Sequence, residues 1–204
     1  MFNSLRFPLL FTCLLTLTIV GCRSPFQSES SSNASTVEEV PALSSEEQKE
    51  VDTLLTQGHQ KIAEGDYEAA ITRFNEVLAM DQTNGEALTN RGLARSRLED
   101  YQAALADYTQ ALTLQSEAPS VYYNRGLVQV QLEKYDQAIA DFTQAIEQKP
   151  DFASAIGNRG FAYAELENYS AAIDDLEKAA QLFKERGQKD TAYRLQRTAR
   201  YIQP

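Results

Sequence analysis

Cysteine and histidine are almost missing from this chain, positive charge is in short supply, and no long apolar run occurs. Of 204 residues only Cys13 and Cys22 are cysteines, and both lie within the first 22. The rest of the chain can therefore hold neither a disulfide nor a thiolate metal site. The single histidine, His59, excludes most imidazole-based catalysis and metal binding. Nineteen Lys and Arg stand against 29 Asp and Glu, a formal net charge of −10. That balance argues against nucleic acid as a partner, because phosphate binding needs a basic surface. There is no Ser-His-Asp set, no phosphate-binding glycine loop and no metal-ligand cluster. Acidic neighbours such as Asp174 and Asp175 would point about 100° apart on a helix, so they form no catalytic dyad. The composition points away from an enzyme and asks for no cofactor or small-molecule substrate. What it does contain is 43% apolar residues, enough for a packed core.

The longest apolar run, Phe7 to Val20, has 14 residues and is interrupted by Pro8, Thr12, Thr16 and Thr18. A spanning helix needs about 20, so the run after Arg6 reads as a signal-peptide core. It ends in Ile19-Val20-Gly21-Cys22: a branched apolar residue, then a small residue immediately before cysteine. This resembles the bacterial lipobox. The resemblance implies that Cys22 takes a diacylglycerol, that residues 1–21 are cut away, and that the new amino group can be acylated. Arg23, the next residue, is not the aspartate that signals inner-membrane retention in enteric bacteria. The expected location is thus a membrane-anchored, periplasm-facing lipoprotein, with the outer membrane favoured if the source is Gram-negative. Residues 22–43 add a serine-rich, acidic stretch poor in apolar groups, expected to be a disordered tether. About 21 flexible residues would have a root-mean-square reach of roughly 25 Å.

From there to residue 186 the sequence repeats itself every 34 residues. Gly58, Gly92, Gly126 and Gly160 hold one position, and Tyr67, Tyr101, Tyr135 and Tyr169 another. Ala70, Ala104, Ala138 and Ala172 hold a third, and Phe74, Tyr108, Phe142 and Leu176 a fourth. Residues 85–118 and 119–152 are identical at 13 of 34 aligned positions. Spacing and residue types resemble the tetratricopeptide repeat (TPR), with Pro150 at the family's stop position in the third repeat only. Each repeat carries two helical patterns, for example Ala87–Leu98 then Tyr101–Leu114. One pair cannot bury its apolar surface alone, so pairs stack. The expected fold is all-α: a right-handed TPR solenoid of four helix pairs (51–84, 85–118, 119–152, 153–186) within 44–186, closed by an amphipathic capping helix in 187–204. Ser44 and Glu47 resemble a capping box that starts the first helix near Ser45. On the last helix Ala192, Leu195, Ala199 and Ile202 share one arc, and Lys189, Arg194, Arg197 and Arg200 the other, a basic face expected to be simply solvated or, alternatively, drawn to anionic lipid headgroups.

In this family the first helix of each pair lines a concave groove, so the resemblance implies where a ligand would lie. The sixth repeat position is Asn90, Asn124 and Asn158, with Thr56 in the first repeat. An amide offers donors and an acceptor, so such a ladder suits the backbone of an extended peptide; the alternative is that each amide bonds to a neighbouring helix or to water. Leu93, Leu127, Phe161 and Tyr123 make the expected groove partly apolar. TPR modules that grip acidic chaperone C-termini use a cluster of Lys, Arg and Asn. The matching positions here are Leu55, His59, Asn90, Ser120 and Asn124, which do not supply it. Arg91, Arg125 and Arg159 recur with Asp107, Asp141 and Asp175, while the first repeat lacks both. This joint pattern is expected to be structural pairing between the two helices of a repeat, the alternative being an arginine stripe that meets an acidic partner. The function expected is a non-catalytic, lipid-anchored scaffold that assists a membrane or envelope complex by binding an extended, partly apolar protein segment. The alternative is a self-assembling structural lipoprotein whose groove binds a neighbouring copy.

Overall fold

The computed structural model describes residues 43–115 and 117–202. Cys22, the lipobox and the tether lie outside the described residues. Residues 41–204 form one compact unit, and its described part contains nine helices and no strand. The helices are α1 (Ser45–Glu64), α2 (Tyr67–Met80), α3 (Gly85–Arg97), α4 (Tyr101–Leu114), α5 (Pro119–Gln131), α6 (Tyr135–Gln148), α7 (Ala153–Glu165), α8 (Tyr169–Glu185) and α9 (Lys189–Tyr201). Each packs on the next in order, as four antiparallel pairs and a final helix must when the connections are short. This is the expected all-α solenoid with its capping helix.

The 34-residue period has a direct steric cause. Gly58, Gly92 and Gly126 are helical glycines facing the ring of Phe74, Tyr108 and Phe142 from the second helix of the same repeat. A Cβ on each would stand 2.5, 2.9 and 2.7 Å from the nearest ring atom, far inside contact distance. The missing side chain lets the paired helices close over a fully buried aromatic. In the fourth repeat Leu176 replaces the ring, and a Cβ on Gly160 would meet its nearest neighbours at 3.1 Å. Ala70, Ala104, Ala138 and Ala172 are each fully buried between the paired helices, as their spacing requires.

Charges stitch the repeats together. Arg125 on α5 makes a bidentate contact with Asp141 on α6, Nε to Oδ2 at 2.8 Å and Nη2 to Oδ1 at 2.7 Å. Its remaining nitrogen, Nη1, donates to Thr109 Oγ1 on α4. Arg159 repeats this with Asp175 and Thr143, and Arg91 with Asp107 and Asn75. One guanidinium thus ties three helices: the two of its own repeat and the second helix of the preceding one. The flat five-donor fork makes this possible where a lysine could not. Hydrogen bonding to the carboxylates pushes the Arg125 and Arg159 pKa values further up.

Inside each repeat the first helix ends in a left-handed residue. Gly65 takes this role in the first repeat, with φ of +80°. Glu99, Glu133 and Glu167 take it in the others, with φ of 62°, 56° and 59°. The amide after each one donates back to the carbonyl five residues earlier, as in Lys134 to Gln129 and Asp66 to Lys61, closing a Schellman turn. At the other end of the unit, the Ser44–Glu47 capping box forms at the start of α1.

Candidate functional site

α1, α3, α5 and α7 touch one another in sequence, α1 to α3, α3 to α5 and α5 to α7, as well as touching their partners. They form one wall, and this mutual approach makes it the inner side of the stack. Most residues expected in a groove lie on it, around Tyr123.

Tyr123 of α5 separates two cavities and lines both. Its ring leans on Phe152, with centroids 4.8 Å apart, and on Phe142 at 5.9 Å. Burial raises its hydroxyl pKa, while hydrogen bonds from Asn158 and Ser154 pull the other way. The first cavity, about 500 Å³, lies between α3 and α5 over the first half of α4. Leu93, Leu127 and Asn124 line it together with Arg97 and Gln131. The second, about 200 Å³, lies between α5, α7, α8 and α9, with Asn158, Phe161, Phe183 and Leu195 on its walls. Gly157 is on its wall, at the position where the earlier repeats have Leu55, Thr89 and Tyr123. Phe161 is 42% exposed at its rim.

The three asparagines are not equivalent rungs. Asn90 lines neither cavity, and its Nδ2 donates to the Glu86 carbonyl one turn earlier on its own helix. Asn158 Nδ2 donates to the Tyr123 hydroxyl at 3.0 Å, so its amide already positions an aromatic of the preceding repeat. Asn124 alone opens onto the larger cavity with no hydrogen bond to another described residue. Sequence spacing put the three on the same helical position; the partner available to each depends on the residue one repeat away, which spacing does not reveal. His59 and Glu86, two polar groove groups far apart in sequence, meet at 3.3 Å. Sequence reasoning did not anticipate the second cavity, although Gly157 in a position otherwise held by side chains was a usable signal. Among the described residues no three His, Cys, Asp or Glu side chains gather as a metal site, and no helix is long and apolar enough to cross a membrane.

A stack of helix pairs with a side-chain-lined inner wall is a scaffold for holding other chains. Three family models, each described as a tetratricopeptide repeat, match residues 55–120, 96–156 and 153–186. Together they cover more than half of the sequence, and the chain belongs to the tetratricopeptide-repeat family. No curated protein matches it. Solved structures give the same fold. The structure of MamA residues 41-end from Desulfovibrio magneticus RS-1 is 19% identical, covering 75% of this chain and 94% of that one, with a TM-score of 0.62. A tetratricopeptide repeat protein from Parabacteroides merdae ATCC 43184 is 25% identical over 72% of this chain and 64% of that one, with a TM-score of 0.60. The first TPR of Spaghetti (RPAP3), bound to the HSP90 peptide SRMEEVD, is 24% identical over 58% of this chain and 94% of that one, with a TM-score of 0.57. Binding of protein partners is the activity that this fold supports.

Proposed function

We propose that this chain is a lipid-anchored adaptor that holds an extended, partly apolar segment of another protein along α3, α5 and α7. The observation that supports this reading best is the pair of cavities on either side of Tyr123. Leu93 and Leu127 offer apolar contact in one, Phe161 and Phe183 in the other, and Asn124 offers an unused amide on the wall of the first. A bound strand would drop one side chain into each cavity and leave its backbone to Asn124. The acidic HSP90 peptide of the Spaghetti complex is not the ligand chemistry favoured here, because Leu55, His59 and Ser120 occupy positions where a carboxylate-gripping groove needs cations. Cys22 carries the acyl chains in this reading and holds the scaffold at the periplasmic face of a membrane, where it assists assembly of an envelope complex. Two or three acyl chains make such an anchor stable.

The test is capture by crosslinking in cells, followed by calorimetric titration of the captured partner. Phe161→Ala together with Asn124→Ala should weaken binding about tenfold to a hundredfold, from one lost apolar contact and one lost amide bond. Unchanged affinity in a folded double variant moves the site off this wall. Concentration-dependent dimerisation of residues 44–204 in light scattering, with the partner absent, would instead favour self-assembly through the same groove. Cys22→Ser should abolish lipid labelling and release the protein from the membrane fraction; retention at wild-type mobility removes the anchor from the proposal.

A further inference from the structure

Among the described residues, the outer face of α9 is the one strongly basic surface element in an acidic chain. Lys189, Arg194, Arg197 and Arg200 are all exposed, opposed on the helix only by Asp190. The helix therefore carries +3 in a chain of −10, leaving −13 on the remainder. Ala192, Leu195 and Ala199 bury the opposite face in the core, which fixes the cations outward. Arg194, Arg197 and Arg200 follow at intervals of three, so they run along one side of a helix about 20 Å long. None of the four cations makes an ion pair within the described residues. Arg194 has only a hydrogen bond to Thr191 Oγ1 at 3.4 Å. The arginines at the seventh repeat position differ: each is committed to a buried aspartate. Two tyrosines flank the basic row, Tyr193 at 63% and Tyr201 at 90% exposure.

We propose that this face docks on anionic lipid headgroups. A straight helix offers its cations in a line on a convex surface and not in a pocket, which matches a flat sheet of negative charge better than a discrete acidic peptide. Tyrosine has an apolar ring with a polar tip and settles at the headgroup level. The remaining −13 is repelled by the same sheet, so attraction through α9 also orients the molecule. The inward face of α9 contributes Thr191 and Leu195 to the second cavity. Docking by the outward face therefore leaves that cavity open to a partner. The proposal relies on the lipid anchor only for proximity, and the assay leaves the anchor out.

The assay is vesicle flotation of a chain beginning at residue 22 with Cys22→Ser, which keeps the whole compact unit and lacks both acyl chains and apolar leader. Vesicles contain phosphatidylcholine alone or with about one third phosphatidylglycerol. Binding is expected to the anionic vesicles only, and to fall away between about 0.1 and 0.5 M salt as the charges are screened. Each basic residue near an anionic surface contributes about a fivefold change in partition, so Arg194→Gln, Arg197→Gln and Arg200→Gln together should reduce binding about a hundredfold. The three arginine-to-lysine changes should retain it. Helical content and melting temperature of the glutamine variant serve as the folding control. Equal partition to both vesicle types, no partition to either, or a folded glutamine variant that floats like the parent each overturns the proposal. So does retention of an acidic protein by these arginines when anionic vesicles are ignored. None of these results bears on Cys22, whose test is lipid labelling.

Discussion

The first repeat and the three behind it share their glycine, alanine and bulky positions, with Leu176 in place of the ring in the fourth, and the first differs from the rest in its charges. Repeats two to four carry an arginine that grips an aspartate of their own second helix and a side chain of the repeat before. The first repeat has Gln57 and Arg73 in those places, and Arg73 pairs only with Glu76 on its own helix. The arginine's third contact explains the difference. It reaches backwards, and α1 has no second helix of a preceding repeat to reach within the described unit. Helix closure needs the steric set everywhere; stacking needs the charged set only where there is something to stack on.

The largest effect should come from breaking that charged set. Arg125→Ala leaves Asp141, 6% exposed, as an uncompensated buried charge, and should cost about 3–5 kcal/mol in urea unfolding. Arg73→Ala, on a pair about 40% exposed, should cost under about 1 kcal/mol. Similar losses at the two sites would erase the distinction between repeats.

Tyr108 gives a second contrast, because its counterparts Phe74 and Phe142 cannot ionise. Burial pushes its hydroxyl up to about 12, against about 10 in an unfolded chain. Above pH 10 the unfolded chain loses this proton while the folded chain keeps it, so stability falls as pH rises from about 10 to about 12. The loss between pH 9 and 11.5 should be about 2 kcal/mol, measured by urea unfolding relative to Tyr108→Phe, in which this contribution is absent. A parallel decline in both proteins would count against it.

Gly126→Ala puts a methyl group 2.7 Å from the buried Phe142 ring and should cost about 1–3 kcal/mol through overpacking. Gly160→Ala should cost less, since its nearest neighbours stand at 3.1 Å and alanine favours a helix interior. Equal drops in melting temperature would show that the ring is not what makes the difference. The smallest effect is expected at the left-handed turns. Glu133→Gly relieves about 1–2 kcal/mol of backbone cost and adds about 0.4–1 kcal/mol of unfolded-chain entropy. A net gain below about 1.6 kcal/mol should follow, and Gly65→Ala should lose a similar amount. Thermal unfolding of both would reveal whether the first turn differs from the others.

The repeat unit was readable in the sequence because each of its rules is carried by residue identity. A glycine faces a ring, an alanine sits where helices touch, and an arginine recurs whenever an aspartate does. The turns were less readable. Glycine is the residue that marks left-handed backbone, and in three of four repeats that position is glutamate, held there by the Schellman hydrogen bond and the packing on either side. The groove was readable as a wall but not as a set of contacts. Leu93, Leu127, Tyr123 and Phe161 line cavities, yet Asn90 and Asn158 spend their amides on Glu86 and Tyr123. Those partners depend on side-chain reach between helices, which periodicity does not encode. Gln129 is a similar case: it occupies the position from which Arg95 reaches Asp107, and its Oε1 is buried without a hydrogen-bond partner.

The backward reach of the arginines also makes the chain a language with one rule of syntax. Each unit brings its own clasp and an eye for the next clasp, Asn75, Thr109 and Thr143 being the eyes. Excising residues 119–152 would set Arg159 against Thr109, the same hydroxyl that Arg125 uses now. Copying that segment would place a second Arg125 against Thr143, as Arg159 is placed now. A gene that gains or loses whole 34-codon units behind the first repeat therefore leaves each arginine its mate, and the length of such a scaffold can drift without its joints being redesigned.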